Sequence, residues 1–211
     1  KLGANQLTLG GANTYTGPTI VLAGTLATNA ANLIPDASAV TITSGATLQL
    51  GGDETIATLD GAGTLTTANA LAFSSNNSAA FSGTLTSTQS TGTSFYRYGT
   101  GSQTLSGTVT LSAVFRHDNG TMIISGGTFT QTIPGGATRS YQLAIGAANT
   151  AVLTVSGGTM TLAGMMLGEN SGGTSTVNIS GGALTINGEL WFAGVSNTMT
   201  LNSGSVIVGG G

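Results

Sequence analysis

Apolar and polar residues alternate in short runs that end at Gly-rich corners, and the second half repeats this arrangement almost unchanged. Four runs begin at Thr121, Val152, Thr176 and Thr198, and each leads within a few residues into Ser-Gly-Gly or Asn-Ser-Gly. Their starts lie 31, 24 and 22 residues apart. A period in this range is typical of repeats that bury an apolar face only by stacking on their neighbours. The pattern therefore predicts a β-solenoid.

One coil can be followed through residues 151–195. Val152–Val155 and Met160–Leu162 are predicted strands separated by a Ser-Gly-Gly corner, Met165–Leu167 forms a third strand, and a polar loop over 169–175 closes the coil. Three strands and three corners in 22–24 residues predict a three-sided parallel β-helix. Each coil should rise by one inter-strand spacing, about 4.8 Å. Apolar side chains of each strand should point inward and Thr outward.

The rest of the chain is predicted to continue the same solenoid as one domain over 1–211. Residues 1–72 contain similar alternating runs, residues 73–119 are irregular and rich in aromatics, and residues 120–211 hold the regular Ser-Gly-Gly coils. We interpret the irregular part as wider coils or a lateral excursion. The longer spacing of 31 residues is explained by a loop inserted over 132–141, which includes Pro134 to Gly136.

Composition narrows the class of protein. Charged residues make up 5% of the chain, against about 25% in ordinary domains. The apolar content of 39% argues against disorder, and runs of Thr, Val, Ile and Leu between Gly, Ser and Asn favour an all-β fold. With four Lys and Arg residues and a net charge of −3, nucleic acid is not expected as a partner. No stretch of 18 apolar residues predicts a transmembrane helix.

Residues 6–26 read QLTLGGANTYTGPTIVLAGTL and closely resemble the autotransporter-associated β-strand repeat. In that family a Leu-Thr-Leu strand leads into an Asn-Thr-Tyr-Thr-Gly turn and then into further strands; Pro18 stands here where the family usually has Gly. The later Ser-Gly-Gly repeats look like the arrays of large exported bacterial surface proteins, and the two patterns cover about half the chain. The resemblance implies a right-handed β-helix, secretion from a Gram-negative-type cell, and a passenger or surface-array role. It implies no catalytic residues.

The segment Phe95-Tyr96-Arg97-Tyr98 is the leading candidate for a contact site. Aromatic and Arg side chains on a hydroxyl-covered surface could stack on sugar rings or dock a neighbouring subunit. The alternative is a local core beneath a loop. Trp191 and Phe192 are interpreted as core residues of their coil, although one of the pair must face outward if the strand is regular.

Two groups of polar residues could support chemistry. Asp53, Glu54 and Asp60 are close in sequence and could bind a cation or act as paired carboxylates, but solvated corner residues are the preferred interpretation. The run from Arg116 through His117 to Asp118 brings a cation, a base and a carboxylate together.

Adjacent strand residues point to opposite faces, so we interpret the single His117 as a polar loop residue rather than a base. We predict no catalytic residues, no metal site and no cofactor.

Three Asn-X-Ser/Thr sequons, at Asn76, Asn119 and Asn178, are possible glycosylation sites. Asn178 lies within a predicted strand and would be usable only if its side chain points outward.

Outward Ser, Thr and Asn side chains are expected to form ladders between successive coils. Strand-like sequence comes within a few residues of both ends without a polar cap, so we expect further repeats in a longer exported parent chain or end-to-end stacking of subunits. The chain is therefore predicted to be a non-catalytic extracellular stalk, layer or filament segment that self-associates. Alternatives are an adhesin that binds glycans through residues 73–119, and a polysaccharide-degrading β-helix enzyme.

Overall fold

The computed structural model describes residues 1–133, 139–146, 148–168, 173–194 and 196–209. These residues form 22 strands: β1 (Gln6–Leu9), β2 (Thr19–Val21), β3 (Thr25–Thr28), β4 (Ala39–Ile42), β5 (Thr47–Leu50), β6 (Glu54–Ile56), β7 (Thr58–Gly61), β8 (Thr64–Thr67), β9 (Leu71–Phe73), β10 (Ala79–Phe81), β11 (Thr84–Ser87), β12 (Thr93–Arg97), β13 (Ser102–Leu105), β14 (Thr108–Leu111), β15 (Val114–His117), β16 (Gly120–Gln131), β17 (Tyr141–Leu143), β18 (Thr150–Leu162), β19 (Met165–Leu167), β20 (Thr174–Ile186), β21 (Leu190–Phe192) and β22 (Ser196–Val208).

The strands stack in three parallel ladders, which confirms the predicted three-sided solenoid. We call the ladder β2-β4-β7-β10-β13 face 1, the ladder β1-β3-β5-β8-β11-β14 face 2, and the ladder β6-β9-β12-β15-β17-β19-β21 face 3. The long strands β16, β18, β20 and β22 continue faces 1 and 2 together. Each strand pairs with the equivalent strand of the next coil.

The Ser-Gly-Gly segments are corners, as predicted, but they do not separate two strands. β18 runs without a break through Gly158, and the corner itself stays paired, as between Ser125 and Gly157. The second Gly of each pair has a positive φ, for example 61° at Gly127 and 67° at Gly158, a conformation that Gly adopts without a steric penalty. One bent strand therefore replaces the two predicted strands.

The coils of the regular half have the predicted size. Paired residues lie 31 positions apart between Thr128 and Thr159, then 24 to Ala183 and 22 to Ser205. The extra residues of the longest coil lie between β16 and β17, although Pro134 to Gly136 of the predicted loop fall outside the described residues, as do residues 169–172 of the other predicted loop.

Residues 73–119 belong to the same stack. Thr64, Thr84, Thr108 and Thr128 follow one another in register on face 2, so this part forms coils rather than a lateral excursion. Its Phe side chains fill the interior, which explains the concentration of aromatics: Phe73, Phe81, Phe95 and Phe115 are all buried. The buried apolar cluster extends from Val21 to Ile186.

Candidate functional site

Face 3 carries most of the residues that the sequence singled out. Strand pairing places one residue from each of the seven face 3 strands in a single column on the outer side, which consists of Thr55, Ala72, Tyr96, Arg116, Gln142, Met166 and Trp191. Two of them, Ala72 and Met166, are covered, with 7% and 4% of their surface exposed. Successive members are separated by one coil, about 4.8 Å. An extended ligand lying along this face could contact several of them at once.

The four-residue candidate contact segment is divided between the surface and the interior. Phe95 and Arg97 are buried, with 2% and 1% of their surface exposed, and are therefore not available for the predicted surface contact. Tyr96 is partly exposed and Tyr98 is 44% exposed. The register of β12 shifts between Thr93 and Phe95, and this bulge decides which of the following residues point inward.

Tyr96 and Tyr98 form a stacked pair with ring centroids 5.3 Å apart and planes inclined by 26°. They border a shallow cleft of about 250 Å³ that also contains Asn32, Asp53 and Thr55. Partial burial, with a smaller contribution from Tyr96, raises the pKa of the Tyr98 hydroxyl. The pair therefore presents two stacked aromatic rings beside a carboxylate, an amide and a hydroxyl.

The acidic residues do not form a paired site. Asp53 accepts a hydrogen bond from Ala70 N at 2.9 Å, while Asp60 accepts one from Ala80 N at 3.0 Å on face 1. The expectation of solvated corner residues is wrong for Glu54, which is 2% exposed.

The Glu54 carboxylate has a structural role. Its two oxygens accept hydrogen bonds from Leu33 N and Ile34 N, at 3.1 and 3.3 Å, and so order the segment between β3 and β4. Burial raises the pKa of Glu54 to about 6.

The run at 116–118 is divided by the solenoid wall. On the outer side, Arg116 Nε donates to both oxygens of Asp118, at 2.9 and 3.0 Å. His117 points inward and is fully buried, so its prediction as a loop residue is wrong: it belongs to β15. The opposite orientations of Arg116 and His117 agree with the predicted alternation.

His117 belongs to a small polar cluster inside the solenoid. Its Nε2 lies 3.0 Å from the Gly120 carbonyl oxygen, so this nitrogen carries the proton, and Nδ1 accepts a hydrogen bond from the Tyr141 hydroxyl at 3.1 Å. Burial, with a smaller contribution from the nearby charge of Arg97, lowers the pKa of His117 to about 3. Burial also raises the pKa of Tyr141. Both side chains are neutral at physiological pH.

The interpretation of Trp191 and Phe192 as core residues is wrong, since they are 43% and 51% exposed, although the two side chains face opposite sides as alternation predicted. Trp191 is in the outward column of face 3, where the guanidinium carbon of Arg139 lies 3.8 Å from its ring centroid. Phe192 aligns with the buried Leu167 but is 51% exposed, because β21 has a paired neighbour on one side only.

The three sequon residues differ in accessibility. Asn76 is exposed, but its Oδ1 accepts hydrogen bonds from the backbone N–H and the hydroxyl of Thr100. Asn119 is partly buried and is bonded to Asn149. Asn178 lies between the buried Val177 and Ile179, and its side chain points outward, which is the orientation that glycosylation would require. Their glycosylation remains a prediction.

Face 2 has a regular outer surface of Thr side chains, which the alternation predicted to point outward. Pairing aligns Thr residues in two columns, one with seven members (Thr25, Thr47, Thr64, Thr84, Thr108, Thr128 and Thr159) and one with six (Thr66, Thr86, Thr110, Thr130, Thr161 and Thr185). The sequence indicates these columns through Thr-X-Thr runs that recur at the spacing of the coils.

The Thr hydroxyls of these columns form no ladders among themselves: within the described ranges, none of them has a hydrogen-bond partner in the protein. Equivalent backbone positions one coil apart are separated by about 4.8 Å, so two hydroxyls bond only where their side chains turn toward each other. The expected ladder contacts do occur elsewhere, where Ser102 Oγ donates to Ser78 Oγ at 2.8 Å and Thr100 Oγ1 donates to Asn76 Oδ1 at 2.9 Å. Face 2 is therefore an uncharged surface whose hydroxyls are open to solvent.

The described residues contain neither a helix that could span a membrane nor a cluster of side chains that could bind a metal ion. No helix there has the length and apolarity that crossing a membrane requires. No three His, Asp or Glu side chains in the same ranges lie close enough together to hold a metal ion.

Comparison with known proteins adds one finding. Neither the curated proteins nor the solved structures gave a significant match to this chain. A family model does match the start of the chain, at the residues that carried the resemblance described above. Residues 1–27 match the passenger-associated-transport-repeat, and in the structure these residues begin the β-solenoid.

Proposed function

We propose that this chain is a non-catalytic, extracellular structural segment that extends a passenger-type β-solenoid by stacking one coil on the next. The observation that carries the proposal is the open last coil. Among the described residues, β22 pairs with β20 on one side only, and residues in its inward columns remain exposed, including Leu201 at 53% and Val208 at 44%. Unpaired strand edges and exposed apolar side chains favour the addition of a further strand.

The opposite end supports the same proposal. Leu7 of β1 aligns with the buried Leu26 but is 47% exposed. A cavity of about 260 Å³ opens beside it, lined mainly by Leu7, Leu9, Ile20 and Leu26. Both ends therefore expose parallel strand edges and apolar core positions, which would be covered by another coil of the same polypeptide or of a second copy.

The surface chemistry and the family match support the proposed location. The matched repeat belongs to passenger-type proteins. Face 2 is uncharged and rich in hydroxyls, and the chain has no Cys, so its stability depends on stacked coils rather than disulfides. We place the protein at the surface of a Gram-negative-type bacterium or in its surroundings.

A non-catalytic role agrees with the positions of the side chains in the run from Arg116 to Asp118, which was a candidate for acid–base chemistry. His117 is neutral and points inward, whereas Arg116 and Asp118 pair on the outside. These three side chains cannot act on one substrate because the solenoid wall lies between them.

Negative-stain electron microscopy and sedimentation at increasing concentration test the stacking. The nine coil steps of face 2 span roughly 43 Å, so we expect particles that are multiples of this length. Leu201→Lys should abolish them, because a charge would replace an apolar contact in the end face. Ile207→Lys is the matched control: it lies in the same strand but points outward from face 2. A wild-type chain that stays monomeric at all concentrations would contradict end-to-end stacking.

A second candidate function, adhesion to glycans, is favoured by the Tyr96–Tyr98 pair. Two exposed rings beside the Asn32, Asp53 and Thr55 groups offer a stacking surface together with hydrogen-bonding partners for sugar hydroxyls. Binding to a glycan array should be lost in Tyr96→Ala and Tyr98→Ala. Trp191→Ala on the same face is the control, and equal losses in all three variants would argue against a local site.

A further inference from the structure

Arg97 is an unusual residue to find inside the solenoid. Strand pairing places it between Phe73 of the preceding coil and His117 of the following one, and 1% of its surface is exposed. Its Nη1 donates to the Ser75 carbonyl oxygen at 3.3 Å. Within the described residues, its Nε and Nη2 atoms have no hydrogen-bond partner.

The charge of this guanidinium is not compensated by the protein groups around it. Burial lowers the pKa of Arg97, but a guanidinium remains protonated in proteins. Among the described residues, the titratable side chains that interact with it are Tyr141 and His117, and no carboxylate does. The two buried acids of these residues are occupied elsewhere: Glu54 binds the backbone of the segment between β3 and β4, and Asp118 pairs with Arg116.

Within the described residues, neither His117 nor Tyr141 accepts a hydrogen bond from Arg97. Both ring nitrogens of His117 are used, one by the Gly120 carbonyl and one by the Tyr141 hydroxyl. Phe73 offers no acceptor. A buried cation with unsatisfied N–H groups is costly, because it has lost its hydration without gaining a partner.

We propose that Arg97 binds a small monovalent inorganic anion, of the size and charge of chloride, inside the solenoid. The two unpartnered atoms determine the geometry, because the N–H bonds of Nε and Nη2 point in the same direction from one edge of the guanidinium. This edge is the fork that holds an anion with two charge-assisted hydrogen bonds. An ordered water would accept hydrogen bonds from the donors but leave the charge uncompensated. An anion accepts the hydrogen bonds and also compensates the charge.

The first test measures whether chloride stabilises the protein. The site is enclosed, so the protein is unfolded and refolded in sodium chloride or in sodium gluconate at equal ionic strength. We expect chloride to raise Tm by about 5–10 °C at about 100 times the Kd, since only the folded state binds it. Arg97→Met should remove the difference between the salts. Arg139→Met, at an exposed Arg, is the matched control and should keep it. Equal Tm values of the wild type in both salts would overturn the proposal.

The second test needs no variant. Crystals of the wild-type protein refolded in sodium bromide should show an anomalous peak in contact with Nε and Nη2 of Arg97. An ordered water only, or no density at this edge, would overturn the proposal.

Discussion

The two adjacent glycines of one corner provide a sharp test of how the coils are held together. Gly126 and Gly127 follow Ser125, yet their surroundings differ. A Cβ on Gly126 would meet its nearest neighbour, Ser106 O, at 3.5 Å, an ordinary contact. A Cβ on Gly127 would lie 2.0 Å from Gly107 O, and the φ of Gly127 is 61°. We therefore expect Gly127→Ala to destabilise the protein and Gly126→Ala to be tolerated.

The expected loss at Gly127 has two contributions. A left-handed backbone costs a residue with a Cβ about 1–2 kcal/mol. Gly107 O, which the new Cβ would displace, accepts a hydrogen bond from Thr128 N at 3.0 Å. Losing this hydrogen bond between coils costs about 0.5–1.5 kcal/mol. The sum is about 2.5 kcal/mol, which corresponds to a fall in Tm of about 5–10 °C for a chain of this length.

Thermal unfolding of both variants, followed by circular dichroism, checks this difference. Gly126→Ala should change the free energy of unfolding by less than about 1 kcal/mol, and could increase it because Ala reduces the entropy of the unfolded chain. Equal Tm shifts in the two variants would refute the reasoning, since they share the same corner and differ only in φ and in contact with the preceding coil.

Three further predictions concern buried polar groups. Because the pKa of His117 falls from 6.5 to about 3 on folding, the unfolded chain takes up a proton first as the pH drops below 6.5. The contribution of His117 to stability should therefore decrease by about 2 kcal/mol between pH 6.5 and 5, so the stability difference between the wild type and His117→Phe should change by this amount in pH-dependent melting; a difference that stays constant would refute the assignment. The pH dependence that Glu54 gives to stability has the opposite sign. Its pKa rises from 4.5 to about 6 on folding, so its contribution to stability is complete below pH 4.5 and is lost as the pH rises through 6. Glu54→Gln should remove about 2 kcal/mol of pH dependence in that window, and a variant that retains the wild-type profile would contradict this. Gln103 accepts from Leu59 N and donates to Leu59 O, so Gln103→Leu should lower the free energy of unfolding by about 1–3 kcal/mol, measured by urea denaturation; a neutral effect would show that the two backbone groups find other partners.

The repeating parts of the fold could be predicted from the sequence. Alternation in Leu184-Thr185-Ile186 correctly predicts which side chains point inward, and the spacing of the Ser-Gly-Gly corners gives the size of each coil. These features are predictable because they depend on local backbone geometry and on a period that occurs several times.

The placement of the candidate site residues could not be predicted in the same way. Around Phe95, the bulge in β12 changes the phase of alternation, and neighbouring Ser94 and Phe95 are both buried. Arg97 and His117 are polar residues in inward positions, where a sequence pattern expects apolar ones. Their orientation depends on pairing with coils 20 or more residues away, which no local pattern records.

The residue-for-residue alignment of neighbouring coils has a consequence for how such a chain can change its length. Thr174 occupies the position directly above Thr150, so excising residues 150–173 would join Asn149 to a residue that already stands in the correct place. Loss of a single residue from a strand would instead move the following side chains of that strand to the opposite face of the sheet. Insertion or deletion of a whole coil is thus tolerated where smaller insertions and deletions are not. Related proteins can therefore differ in the length of the solenoid while keeping the same cross-section.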